Sequence, residues 1–211
     1  MIGRLQAPQR QAIQPLIHER SFHKGQVLLH QGEPAPALHV VKVGSILTSR
    51  KGPDGRPRPI GIFGCGHVLD TFAFTGQPTL LTSRAVSAGR LCEVQARRLL
   101  DEQPRDSPLL QQLDAARVRF CAGLADWAQV MRVRGVTGQV AAALLQLGAE
   151  QRSRLVRLPS QSALAELLGT TRETIARALS RLQAQHCVIR RDRWHCELLE
   201  APLLARIAAS P

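Results

Sequence analysis

Apolar positions between 158 and 182 recur at helical spacing, break once, and resume. Leu164, Leu167 and Leu168 give one apolar face, and Ile175, Leu179 and Leu182 give a second. Gly169 stands at the break, where an unusual backbone is least strained for glycine. The pattern predicts two short helices joined by a tight turn, with Thr170 as the cap of the second and Glu173 completing a capping box. Arg172, Glu173, Ala176, Arg177 and Ser180 fall within an arc of roughly 140° opposite the apolar side, at about 100° per residue. A helix laid in a DNA major groove needs this division. Arginine can donate to guanine, and a carboxylate can accept from cytosine N4. An ordinary helical hairpin with solvated arginines gives the same pattern.

Elsewhere the periodicity changes. Residues from about 20 to 100 show short apolar runs broken by Gly, Pro and Asp, as in PDGRPRP at 53–59, and predict antiparallel strands and hairpins. Residues 107–134 predict one long helix. Leu113, Arg117, Phe120, Leu124, Trp127 and Met131 alternate four and three apart along it, as in a coiled-coil seam, with Arg117 interrupting. The same stripe can pack on the chain's own strands. Residues 135–150 predict a further helix, with Gly135 and Gly138 as a hinge. Residues 186–199 predict two short strands around Arg191, Asp192 and Arg193, whose basic tip can meet phosphates or be merely solvated.

Charge changes the picture modestly. The 211 residues suit one or two domains, and a formal net charge of +12 suits a polyanionic partner. The excess is spread. Residues 1–105 carry 14 Lys and Arg against 7 Asp and Glu, residues 106–150 carry 4 against 4, and residues 151–211 carry 10 against 5. The five cysteines (65, 92, 121, 187 and 196) are odd in number and scattered, which predicts reduced thiols in a cytoplasmic protein. No leader pattern opens the chain, and no run approaches the roughly 18 apolar residues of a membrane span.

Taken in order, several segments resemble the Crp-Fnr family of bacterial transcription regulators, relatives of the cyclic-AMP receptor protein. TTRETIARAL (170–179) is close to that family's recognition-helix motif. KGQVLLHQGEP (24–34), LHVVKVGSI (38–46), GRPRPIGIFGCGHVL (55–69) and VSAGRLCEV (86–94) resemble its β-roll strands, with Gly25, Gly32 and Gly44 at turns. The resemblance implies an α+β fold: an antiparallel β-roll sensor over 1–105, a dimerisation helix over 106–134 and a winged helix-turn-helix over 135–211. It implies base reading by Arg172, Glu173 and Arg177, and phosphate contacts from Ser160, Gln161, Ser162 and Thr171. It implies a dimer interface through Leu113, Phe120, Leu124, Trp127 and Met131. The expected partners are double-stranded DNA with a TGTGA-like inverted repeat, a second copy of the chain and, by analogy, RNA polymerase in an activating role. A membrane is not among them.

The sensor departs from the pattern. Relatives that bind cyclic AMP hold it with a Glu and an Arg-Ser/Thr pair. Those positions fall here on Thr71, Thr82 and Ser83, with Ser87 at a further arginine position. Without a guanidinium, a buried phosphate loses charge-assisted bonds worth about 1.5–3 kcal/mol each, so cyclic AMP is not the expected effector. The iron–sulfur branch needs an N-terminal cysteine cluster, and residues 1–30 contain no cysteine. Haem stays open, with Cys65, His67, His18, His23, His30 and His39 as candidate ligands, as do thiol redox sensing at Cys65 or Cys92 and control without any effector.

A different class remains beside this one: a β-roll signalling or interaction module that senses haem or redox state without reading DNA. Such a module has no use for Arg172, Glu173 and Arg177 on one helical face. Catalytic residues are not expected. No His-x-x-x-His or Cys-x-x-Cys pair, phosphate-cradling glycine loop or Gly-x-Ser-x-Gly turn is present, and no metal site is predicted.

Overall fold

A computed structural model describes residues 14–69, 73, 75–102 and 107–209. The chain divides into two compact units, one ending at Gly123 and the other beginning at Leu124.

The first unit is a β-roll with eight strands among the described residues: β1 (Ile17–Phe22), β2 (Val27–Leu29), β3 (Ala37–Val43), β4 (Ile46–Lys51), β5 (Pro57–Phe63), β6 (Val68–Leu69), β7 (Thr82–Ala85) and β8 (Gly89–Gln95). They pair antiparallel in two four-stranded sheets, ordered β1-β8-β3-β6 and β2-β7-β4-β5. Alternation decides which residues meet. Leu38 and Val40 on β3, with Cys92 and Val94 on β8, cluster with Leu99 of α1 (Ala96–Glu102) and with Leu113 and Ala116 of α2 (Pro108–Arg132). His39, between Leu38 and Val40, is buried as well, and its Nε2 lies 3.2 Å from Glu93 Oε1. Gly25, Gly32 and Gly44 take positive φ at the turns. At Gly44 a Cβ would also sit 2.9 Å from the Phe22 ring, so neither the backbone nor the space admits a side chain.

The expected seam on α2 is largely consumed inside the chain. Leu113 belongs to the roll's core, Phe120 stacks on Phe63 with ring centroids 4.6 Å apart, and Trp127 is fully buried. Leu124 and Met131 are half-buried. The physical reason is size: with few aromatics in the chain, Phe and Trp fill local cores first. The exposed stripe is instead Ala115, Val118, Ala122 and Ala125, with Val118 68% exposed.

The second unit holds the end of α2, α3 (Val136–Gln151), β9 (Leu155–Arg157), α4 (Gln161–Leu167), α5 (Arg172–Ala184), β10 (Val188–Arg190), β11 (His195–Leu198) and α6 (Ala201–Ala209). β9, β11 and β10 form one antiparallel sheet in the order β10-β11-β9. Gly135 has φ +72 and stands at the start of α3. Gly138 does not mark a hinge. It lies within α3, buried, where a Cβ would approach Val133 Cγ1 to 2.9 Å and the Ile207 carbonyl of α6 to 3.3 Å; the glycine lets two helices approach closely. Gln146 Nε2 donates to Asp126 Oδ2 at 3.3 Å and to Glu150 Oε1 at 3.0 Å. Burial, aided by the Asp126 charge, pushes the Glu150 carboxyl up to about 7 against the opposing pull of Gln146 and Trp127.

Candidate nucleic-acid interface

Two capped helices make the turn. Ser160 precedes α4 in extended conformation, and its Oγ accepts from Ala163 N at 3.2 Å. Gly169 then takes φ +63, and Thr170 N donates back to Ala165 O at 2.9 Å. The expected capping box at Thr170 and Glu173 is not what forms. Thr171 is the cap: its backbone is extended (φ −99, ψ 153) and its Oγ1 accepts from Thr174 N at 3.2 Å. Thr170 is committed to closing the preceding helix, so capping passes one residue on, and Glu173 is released from the role.

This has a direct effect on α5. Ile175, Ala178, Leu179 and Leu182 are buried, while Arg172, Glu173, Arg177 and Ser180 are exposed and Ala176 is half-buried. The structure therefore brings Arg172, Glu173 and Arg177 onto one open face. Thr174 steadies Arg177 through its Oγ1, 3.3 Å from Nη2. Of the residues expected at phosphates, Ser162 and Thr171 are exposed, and Ser160 and Gln161 half-buried, at the starts of the two helices. A capping hydroxyl accepts from an amide; the Ser160 O–H stays open to an outside acceptor, while the Thr171 hydroxyl also lies 2.9 Å from Thr174 Oγ1.

A cleft of about 480 Å³ lies beside α5, and the sequence reading missed it. Arg134, Thr137 and Gly138 at the start of α3 line it together with Thr174, Arg177 and Arg181. The first amides of α3 receive no side-chain cap from Gly135. Among the described residues no carboxylate pairs with Arg134, Arg177 or Arg181. Three guanidinium groups and a helix N-terminus favour an anion there. Arg177 and Arg181 are four apart, which is visible in the sequence; Arg134, far upstream, has no local signal.

The wing is tied to the segment before α4, where Leu158 N donates to Trp194 O at 2.7 Å. Arg191 pairs with Glu197, Asp192 accepts from the backbone of Trp194 and His195, and Trp194 is exposed beside Arg193. Apart from histidines, every cation in the second unit is arginine; Lys24, Lys42 and Lys51 all lie in the roll.

The sensor positions are dispersed. Thr71 lies outside the described residues. Thr82 Oγ1 accepts from Gln31 N at 3.1 Å, and Ser87 Oγ accepts from Ser45 N at 2.9 Å, so both hydroxyls serve the roll's backbone. Ser83 is buried on the opposite face of β7 from Thr82, across from Thr48, whose own Oγ1 is buried without a hydrogen-bond partner. Cys65 is exposed. His67 lies edge-on to Phe63, 5.2 Å away, with Nδ1 3.2 Å from Gly64 O, and burial lowers its pKa. Burial raises the Cys92 thiol, suppressing the thiolate that redox chemistry needs. Among the described residues no group of three or more His, Cys, Asp or Glu is placed to hold a metal, and no helix is long and apolar enough to cross a membrane.

A β-roll followed by a long helix and a winged helix-turn-helix defines a class of DNA-binding regulator, and comparison with known proteins agrees. Residues 19–103 match the cyclic nucleotide-binding domain, and residues 138–207 match the Crp-like helix-turn-helix domain. The CRP-like cAMP-activated global transcriptional regulator of Mycobacterium tuberculosis is 31% identical over 173 residues, covering 75% of this chain and 74% of that protein. A probable transcriptional regulator, flp, of Lacticaseibacillus casei is 29% identical, covering 91% of this chain and 88% of the other. The structure of FixK2 from Bradyrhizobium japonicum superposes with a TM-score of 0.75 at 22% identity, over 92% of this chain and 98% of that one. The chain belongs to the Crp-Fnr family of transcription regulators, with a Crp-like helix-turn-helix for binding DNA.

Proposed function

We propose that the chain is a non-enzymatic, cytoplasmic regulator that reads a TGTGA-like inverted repeat as a homodimer and activates transcription by recruiting RNA polymerase. The observation that carries this reading is the open face of α5. Arg172 and Arg177 present guanidinium groups for guanine O6 and N7, and Glu173 presents an acceptor for a cytosine amine, over a buried back of Ile175, Leu179 and Leu182. The Ser160 and Thr171 hydroxyls, with Arg134 and Arg181 of the cleft beside α3, supply phosphate contacts that fix the helix in the groove.

The homodimer is supported by the exposed Ala115, Val118, Ala122 and Ala125, which repeat at three and four along α2. Recruitment of polymerase is by analogy with the family. The sensor is proposed not to respond to cyclic AMP, unlike the M. tuberculosis relative by its name. In support, Thr82 stands where a guanidinium would be needed, and its hydroxyl already holds Gln31 N.

Fluorescence anisotropy on a TGTGA-N6-TCACA duplex tests the reading, with a scrambled duplex and a salt series alongside. The expected result is nanomolar binding with a preference of about a thousandfold for the palindrome. Weak binding that ignores sequence and fades steeply with salt would overturn it.

A further inference from the structure

The roll buries a histidine on the side of a sheet away from its helices. On β3, Leu38 and Val40 face the core under α1 and α2, so His39 between them faces the opposite side. It is only 6% exposed there. Glu93 stands directly across from it on β8. Arg20 of β1 shares that face, being paired with Leu91, two residues before Glu93. One carboxylate oxygen serves both neighbours: Glu93 Oε1 lies 2.8 Å from Arg20 Nη2 and 3.2 Å from His39 Nε2.

Two atoms of this cluster are left over. His39 Nδ1 and Arg20 Nε are buried, and neither has a hydrogen-bond partner among the described residues. Such orphans are costly and uncommon. Their surroundings fix their chemistry. Burial lowers the His39 pKa against the opposing pull of Glu93, so the ring is neutral. The Glu93 carboxylate accepts, so the ring proton sits on Nε2 and Nδ1 is left as a bare acceptor. Arg20 Nε–H is a donor.

Both residues line a cleft of about 350 Å³ in the first unit. Leu28 and Leu29 of β2, with Pro34 and Pro36 of the following loop, supply apolar lining. Thr82, Ser83 and Ser87, the positions expected to meet an effector, are not among the lining residues. The ligand class follows from the two orphans. An anion would serve Arg20 but face the lone pair of His39. A cation would serve His39 but leave Arg20, of like charge, without an acceptor. A neutral molecule with an N–H beside a C=O satisfies both at once. Arg20, whose side chain is 38% exposed, is the wall able to yield as such a molecule enters.

We propose that this cleft binds a small neutral molecule by an amide or lactam edge, its N–H donating to His39 Nδ1 and its C=O accepting from Arg20 Nε. The site belongs to the first unit, so it stands or falls independently of DNA reading by α5.

Uracil is the probe, being planar, uncharged and edged with N–H beside C=O; benzoate and benzylamine are anionic and cationic controls. In the ¹⁵N-labelled full chain, long-range correlation from the ring protons should show His39 protonated at Nε2 before any addition. Uracil should then move the His39 Nδ1 resonance upfield and saturate, with a dissociation constant on the order of 1 mM for a molecule of its size. Neither control should move it. Arg20→Lys keeps the charge and loses Nε, and His39→Phe keeps the ring and loses Nδ1. Each should weaken uracil binding by about tenfold, as for the loss of one hydrogen bond, with the amide spectrum of the roll otherwise retained. A free chain whose His39 carries its proton on Nδ1 overturns the assignment without any variant. Uracil that never saturates on the wild type, that binds both variants as tightly, or that binds no better than benzoate overturns the site.

Discussion

Arg172 opens α5 on its exposed side, where its guanidinium meets no carboxylate among the described residues. Replacing it by alanine should weaken palindrome binding by about 1–3 kcal/mol and relax preference at one base pair, read by anisotropy on a set of single-base variants. The caps make a sharper pair. Thr171→Ala should destabilise the second unit by about 1 kcal/mol, whereas Thr170→Ala should leave the cap intact; denaturant melts distinguish them. Glu150 gives a pH signature. Its folded pKa is raised from 4.5 to about 7, so the folded chain holds that proton more tightly than the unfolded chain does. The resulting stability is full below about pH 4.5 and is lost as pH rises through 7, about 3 kcal/mol in all. Melts from pH 5 to 8 should show that loss in the wild type and not in Glu150→Gln; equal slopes would refute it.

Elements show where sequence reading succeeded and where it ran out. The two helices around Gly169 and the glycine turns of the roll were legible, because helical spacing and positive-φ turns leave local signals. The cap slipped by one residue, since Thr170 and Thr171 are equally good cap residues and only the closure of α4 chooses between them. β9 was missed, for three residues carry no period, and α6 lay beyond the pattern that was read. On α2 the stripe expected to meet a second copy has Leu113, Phe120 and Trp127 buried within the chain and Leu124 and Met131 half-buried, because periodicity does not say what a stripe packs against. That distinction is testable. Val118→Glu should convert a dimer to a monomer in sedimentation without loss of helix content, whereas Trp127→Ala should cost about 3–5 kcal/mol of stability. At Gly138, alanine should lower the melting temperature by forcing α3 away from the Ile207 carbonyl.

At the scale of the whole molecule, a net charge of +12 draws the chain to any polyanion, and the second unit sets Arg172 and Arg177 on the exposed face of α5. Bulk attraction and recognition therefore separate with salt: raising it should weaken binding to every duplex while leaving the palindrome preferred. The basic surface of that unit is made of arginine, with no lysine among its residues. Acetylation, which erases the charge of a lysine, has no substrate there, and a guanidinium stays protonated at any pH a cell reaches. The grip on a polyanion cannot be dimmed by neutralising its arginines one at a time. Under the proposed dimeric reading, control rests instead on whether the α5 helices of the two copies are presented together.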